Sequence, residues 1–427
     1  MTRWSRRGLL GLGAAALAAG LLPGCGQTSI SADPRELVLW YWKRSVSPKL
    51  LEQAAQQIPG TDMRLRADTI GGTFDTKLRT SLAGGSYIPD ISGINSNASL
   101  YFLAEDKFLD FNQYGAKDVE ADYYPWKWKL GTTPTGRFCF WPMDTGPTGF
   151  YYRSDLFAEA KLPSEPEEVS AQTRTWEEWI EVGQKLRTNS DRAMVNAGKS
   201  LYNQFINASS ERYFDDQNRP LYENDNSTVR QAWELAMKAI QAGVTAGFTS
   251  NTSGDQNSAW VSGKTVGNVE AVWWGEILKD TAPDTAGKWR IASQPVKPGN
   301  SGGSFLAVPA ACKDPEAAVA FIRWLTSPEN QAATFNEIQL FPSTPASFTS
   351  GSMKDESGFF GDQDGLAFFA EAAKAVPTTF VSTYEAQVSF FGKEVDNVET
   401  SGKDPEQAWD DAVNQCNKVL AKRGVLG

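Results

Sequence analysis

Apolar and polar positions along this chain fall into short runs that can be assigned one element at a time. Glu36 to Trp42 is a compact β-branched and aromatic run, which predicts a buried strand. Ser47 and Pro48 then open a helical pattern with apolar positions at Leu50, Leu51, Ala54 and Ala55, stopped by Pro59 and Gly60. Met63 to Ala67 alternates apolar and charged residues as a second strand does. Thr73 to Leu82 is an amphipathic helix closed by Gly84 and Gly85, and Pro89 to Ile94 reads as a third strand. Strands and helices alternating with short connections predict a parallel sheet covered by helices.

After Thr145, Gly146 and Pro147 the pattern restarts. Phe150 to Tyr152 is strand-like, and Asp155 to Phe157 begins a short helix. Pro163 to Thr173 is polar, acidic and proline-bearing, which predicts a surface loop. Thr175 followed by Glu178 has the spacing of a capping box, opening a helix through Trp179 to Leu186. Glycines and prolines recur at 295, 298, 299, 302 and 303, ahead of a strand (Phe305 to Val308) and a helix (Pro315 to Leu325). Pro342 and Pro345 mark another crossing, and Pro405 to Leu420 is one amphipathic helix. There is no internal repeat.

The stretch before the first strand has a different character. Met1 to Arg7 is basic without an acid, and an apolar run follows from Leu9 to Leu22, too short and too rich in Gly and Ala to span a bilayer. Ser5 to Leu10 resembles a twin-arginine export signal, and Leu22 to Cys25 resembles a lipobox with Cys25 acylated. The expectation is a signal peptide over 1–24 and a lipid-anchored tether over 25–35; the alternative is a plain secretory signal with an incidental cysteine. Cleavage would remove Arg3, Arg6 and Arg7 and leave the mature chain more acidic.

Composition narrows the chemistry. The 427 residues suffice for two or three domains, and 41% hydrophobic with 22% charged residues is an ordinary globular balance. A net charge of −10 argues against a nucleic-acid partner. Histidine is absent, which excludes an imidazole triad and His-ligated metals, and the four cysteines contain no CxxC pair. No cofactor or metal is expected. Cys139 and Cys312 read as buried thiols, and with Cys25 acylated the remaining three cysteines cannot all pair. The positive excess is aromatic: 15 Trp, 12 Tyr and 23 Phe.

Ligands of parallel sheets lie beyond the carboxyl ends of strands. Trp42, Lys43 and Arg44 occupy that end of the first strand, where an indole could face a sugar ring and the cations could meet hydroxyls or an acidic group. Trp40 reads as core. Asn95 and Asn97 follow the third strand, as ligand amides or as a turn with an Asx hydrogen bond. Asp144 sits in a rigid passage that reads as a hinge, as a hydroxyl acceptor or a solvated loop acid. Trp260 with Trp273 and Trp274 brings further indoles to a strand end, where one or two could wall a cleft. Glu167, Glu168, Glu177 and Glu178 are most simply structural.

Several passages together resemble the solute-binding proteins of bacterial ABC importers, in the carbohydrate-binding family that includes maltose-binding protein. Ser81 to Ile91 looks like its helix-to-strand stretch, around Gly85, Pro89 and Asp90. Gly149 to Phe157 is similar to its Tyr-Asn-x-Asp-Leu-Phe passage, with Arg153 in place of asparagine. Thr175 to Trp179, Gly263 to Trp273, Gly302 to Pro309 and Pro315 to Glu329 follow in the family's order, with Val266 and Gly267 departing from Ala-Met. The resemblance implies an α/β, two-lobed periplasmic-binding-protein fold, each lobe a mostly parallel sheet flanked by helices, with the ligand cleft between. The lobes would be 36–144 plus 299–342 and 145–298 plus 343–427. By position it puts Trp42, Lys43, Arg44, Asn95, Asn97, Asp144, Trp273 and Gly303 at the cleft, with Tyr202 and Tyr384 on looser matches. The implied role is non-enzymatic capture of a mono- or oligosaccharide, delivered to membrane permease subunits by an exported, lipid-anchored monomer. Two alternatives stay open: a secreted carboxylate-dependent polysaccharide hydrolase or lyase, and a binder of a polyamine or iron complex on the same architecture.

Overall fold

The computed structural model describes residues 30–248, 253–349, 352–354 and 358–426. The expected signal peptide and the first residues of the tether, 25–29 with Cys25, lie outside these.

The first sheet has the order β2-β1-β3-β8-β4. β1 (Glu36–Tyr41) pairs in parallel with β2 (Arg64–Thr69) and with β3 (Ile91–Ile94). β8 (Phe305–Ala307) is antiparallel to β3 and to β4 (Trp141–Pro142). The helix Pro48–Gln56 begins where Ser47 Oγ accepts the Leu50 N–H at 3.2 Å, with proline in its first turn. The helix Phe74–Gly84 ends on Gly85 at φ 65°, a left-handed cap that glycine adopts without strain. Leu37, Leu39, Ile91, Leu306 and Trp141 fill one face of this sheet and Val38, Trp40, Ile94 and Phe305 the other.

The second sheet has the order β6-β5-β7, with β5 (Thr148–Arg153) antiparallel to both β6 (Gly267–Ala271) and β7 (Trp289–Ala292). Single parallel bridges, Ala193 to Thr265 and Val195 to Thr245, extend it. The two sheets and their helices make the two-lobed α/β fold. A reversed strand in each lobe modifies the expected parallel pattern: β8 in the first and β5 in the second. Each is the first strand after the chain crosses between lobes. β4 runs toward the crossing, so the chain must enter the second sheet heading away from it, opposite to β6.

The crossings lie side by side. Ser301 N donates to Gly146 O at 2.8 Å, Thr145 N to Phe341 O at 2.8 Å, and Gly146 N to Asn300 Oδ1 at 2.9 Å. A Cβ on Gly146 would lie 2.0 Å from Ser301 O, so only glycine permits this approach. An aromatic cluster including Trp126, Tyr151, Trp274, Trp289, Phe335, Phe341 and Phe369 packs beside the crossings.

Two local expectations are corrected. Pro163 to Thr173 is not all loop: Pro166–Gln172 is a helix, with proline and two glutamates in its first turn and Val169 buried. Proline there starts a helix, and acidic residues suit its N-terminus. Trp260 is not at a strand end. It lies in the helix Ser253–Ser262 with its ring edge-on to Trp274, centroids 5.0 Å apart. Cys139 and Cys312 are buried thiols, as is Cys416.

Candidate functional site

A cavity of about 430 Å³ opens where the carboxyl ends of β3 and β6 face each other. The first lobe contributes Ser96, Asn97, Ser99, Phe102 and Leu130. Asn97 directly precedes the 3-10 turns of Ala98–Lys107. From the second lobe, the helix Gly198–Asn207 presents Ser200, Asn203, Gln204 and Asn207. Their spacing of three, one and three residues sets them on one helix face. The opposite face carries Leu201 and Tyr202 into the core. The crossing strand adds Asn300, Ser301 and Gly302, and the loops add Arg212, Tyr213, Val381 and Glu385.

These groups are held in place by one another. Glu270 Oε1 accepts from Gln204 Nε2 at 3.2 Å and from the Ala271 N–H at 2.9 Å. Burial pushes the Glu270 carboxyl up from its ordinary range, against the hydrogen bonds that favour its charge. Asn300 Nδ2 donates to Gly302 O at 2.9 Å, so that amide is committed to the crossing. Burial pushes Glu385 up to about 7 although the Arg212 charge opposes the shift, and the same burial lowers Arg212. Asn203 is exposed to the cavity with both amide functions available.

Of the eleven residues expected at the cleft, Asn97 lines this cavity. Asn95 Oδ1 accepts the N–H of the next residue, Ser96, at 2.8 Å, so that amide oxygen is engaged locally. Trp42 packs its ring edge-on against Phe74, centroids 5.3 Å apart, and beside Gly93. Lys43 is exposed, and Arg44 Nη1 reaches Asp280 at 2.9 Å with Glu276 at 4.0 Å. Asp144 is buried at the crossing, where its Oδ1 accepts from Ser304 N at 2.8 Å and from the Ser304 hydroxyl. Gly303, at φ 75°, passes between Asp144 and Lys127. Tyr202 is buried with its hydroxyl 2.8 Å from that of Tyr213, and Tyr384 packs near Phe214. Trp273 donates from Nε1 to Ser301 O at 2.9 Å, one residue behind the cavity wall, while Trp274 is 3% exposed in the core. The strand has ended at Ala271, so the two indoles diverge from a helix start rather than across a sheet.

Among the described residues the rings lining this cavity are Phe102 and Tyr213, and no tryptophan is among its lining residues. The polar helix face was missed in the sequence, yet its signal is there as Ser200, Asn203, Gln204 and Asn207 recurring on an otherwise amphipathic helix.

The sequence pattern of the bacterial extracellular solute-binding proteins matches residues 48–332. The chain is similar to a lactose-binding protein of Rhizobium radiobacter, 24% identical over 375 residues that cover 82% of this chain and 84% of that one. A solved extracellular solute-binding protein of family 1 superposes with a TM-score of 0.83 at 24% identity, covering 90% of this chain and 99% of the other. The galacto-N-biose-/lacto-N-biose I-binding protein of an ABC transporter from Bifidobacterium longum, solved with lacto-N-biose, superposes at 0.75 with 18% identity over 91% and 97% of the two chains. With the family pattern covering more than half of its length and the same two-lobed fold recurring in these relatives, the chain belongs to the bacterial extracellular solute-binding proteins.

Proposed function

We propose that this protein captures a sugar between its lobes and hands it to an ABC importer in the membrane. One observation carries the reading: a cavity of about 430 Å³, at the size of a small-molecule site, is walled by hydroxyls, amides and carboxylates from both lobes. A sugar hydroxyl both donates and accepts, so a wall mixing Asn, Gln and Ser with Glu and Arg suits it. The sugars named for the relatives, lactose and lacto-N-biose, fit the same chemistry. A micromolar dissociation constant needs about −8 kcal/mol, within reach of several buried hydrogen bonds of about 0.5–1.5 kcal/mol each plus contact with Phe102 and Tyr213.

The lobes, taken as 36–144 with 299–342 and 145–298 with 343–427, would hinge at Asp144 to Pro147, Asn300 to Gly303 and Pro342. Ligand affinity for the closed arrangement would drive the change that a permease reads. Acylation at Cys25 would hold the exported monomer near its transporter. No turnover enters this reading: Glu270 is engaged by Gln204 and a backbone amide, and Glu385 lies within the electrostatic reach of Arg212. Calorimetry of the mature protein against lactose, maltose and lacto-N-biose should give saturable heat from at least one sugar with no new reducing ends. Absence of heat from all neutral sugars, or steady production of reducing ends, would overturn the reading.

A further inference from the structure

Arg212 and Glu385 both line the cavity, and one side-chain atom of each, Arg212 Nε and Glu385 Oε2, is enclosed without a hydrogen-bond partner among the described residues. Buried polar atoms left unpaired are costly and call for an explanation. Arg212 and Glu385 act on each other electrostatically, yet among the described residues neither forms a direct ion pair. A guanidinium donor and a carboxylate acceptor thus line one cavity without a direct bond between them among the described residues. They come from different segments. Arg212 follows the helix Gly198–Asn207, and Glu385 opens the short turn Glu385–Gln387, which touches the first-lobe stretch Ala98–Lys107.

We infer that Arg212 and Glu385 are the specificity-determining pair of the sugar site, bridged by a ligand hydroxyl that accepts from Arg212 and donates to Glu385, so that the site takes neutral sugars and rejects acidic ones. The inference rests on the sugar-capture reading above. A hydroxyl is the ligand group that can answer both partners at once. A carboxylate on the ligand could answer Arg212 but would face Glu385 and Glu270, two acids against one base in the cavity wall. Lys43 and Arg44, which suggested an acidic ligand in the sequence, do not change this balance. Neither lines the cavity, and Arg44 is engaged by Asp280 and Glu276.

The groups facing Glu385 are Arg212, the phenols of Tyr202 and Tyr213, which burial keeps protonated, and Glu270 in the same cavity. Because burial pushes Glu385 up to about 7, its charge changes near neutrality. A ligand hydroxyl donating to the ionised carboxylate favours that form, so binding expels a proton below that pH and affinity rises from pH 6 to pH 8.

The test is calorimetry of the full mature chain with lactose, maltose and digalacturonic acid at pH 6 and 8, in buffers of differing ionisation enthalpy. The expected results are proton release at pH 6 with the best neutral sugar and at least tenfold weaker binding of digalacturonic acid. Glu385→Gln and Arg212→Met should each weaken the neutral sugar tenfold or more, and Glu385→Gln should flatten the pH slope. Equal or tighter binding of the acidic sugar, no proton release by the wild type, or variants with unchanged affinity and slope would overturn the pair while leaving sugar capture standing. No binding of any sugar would overturn both. Proton release is read on the wild type, so a variant that fails to fold does not decide the outcome.

Discussion

The two walls of the cleft are made differently. The first lobe lends a short loop, Ser96 to Ser99, and one ring, Phe102. The second lends a whole polar helix face, together with Arg212, Glu270 and Glu385. Among the described residues the cavity's charged groups stand on the second lobe alone, beside its own amides, and face the hydroxyls and amide of the first lobe's loop. Selectivity should therefore sit in the second lobe, while the first supplies a surface for ring contact and for closure. The crossings approach closely at Gly146 and carry the buried Asp144, beside Lys127 of a neighbouring helix.

The largest break in this contrast would come from the crossing itself. Gly146→Val drives a side chain into Ser301 O, where even a Cβ would stand 2.0 Å away. It should cost about 3 kcal/mol or more and release the second lobe's registry, measured by denaturant unfolding.

Next is the enclosed pair beneath Gly303. Lys127 is buried with its amine unpartnered, over the ring of Phe305 at 3.5 Å, and burial pushes it down to about 7 although Asp144 opposes the shift. Asp144→Asn removes that opposing charge and should cost about 3 kcal/mol at pH 7, whereas adding Lys127→Met should restore most of the loss. The sign with pH follows from the lysine. Its folded pKa lies below its ordinary 10.5, so between about 7 and 10.5 the unfolded chain binds more protons and stability rises with pH. Melting curves over that window should show the rise in wild type and its reduction in Lys127→Met.

A smaller effect sharpens the comparison of the walls. Asn203→Ala on the second lobe should weaken sugar binding by about 1 kcal/mol, roughly fivefold, with the melting temperature unchanged because its amide is free of the core. Arg44→Ala should change least. Its guanidinium links the first lobe to Asp280 of the second, but the side chains are half exposed or more, so the effect should stay below about 1 kcal/mol and fade with salt.

Much of the scaffold was readable from periodicity and punctuation. β1, the proline-started helix at Ser47, the Gly85 stop and the Thr175–Glu178 capping box are local devices whose signals are local. The reversed strands were not legible, since direction depends on where the chain crosses between lobes. Tryptophans are ambiguous for a physical reason: an indole at a strand end serves a core or a cleft equally well, and here Trp40 serves a core as read while Trp274, offered for the cleft, serves one too. The polar stripe from Ser200 to Asn207 carried the second lobe's wall, but a polar helix face ordinarily means solvent, and only the neighbouring lobe makes it a site. Arg212 and Glu385 lie far apart in sequence, in loops without a motif, so no spacing could bring them together.

A crystal structure of the mature protein with its tightest neutral sugar tests the central claim most directly. The sugar should lie between the lobes, touching Asn97 on one side and Asn203 and Glu385 on the other, with its ring against Phe102 or Tyr213. A sugar seated elsewhere, or held by one lobe alone, would contradict the account.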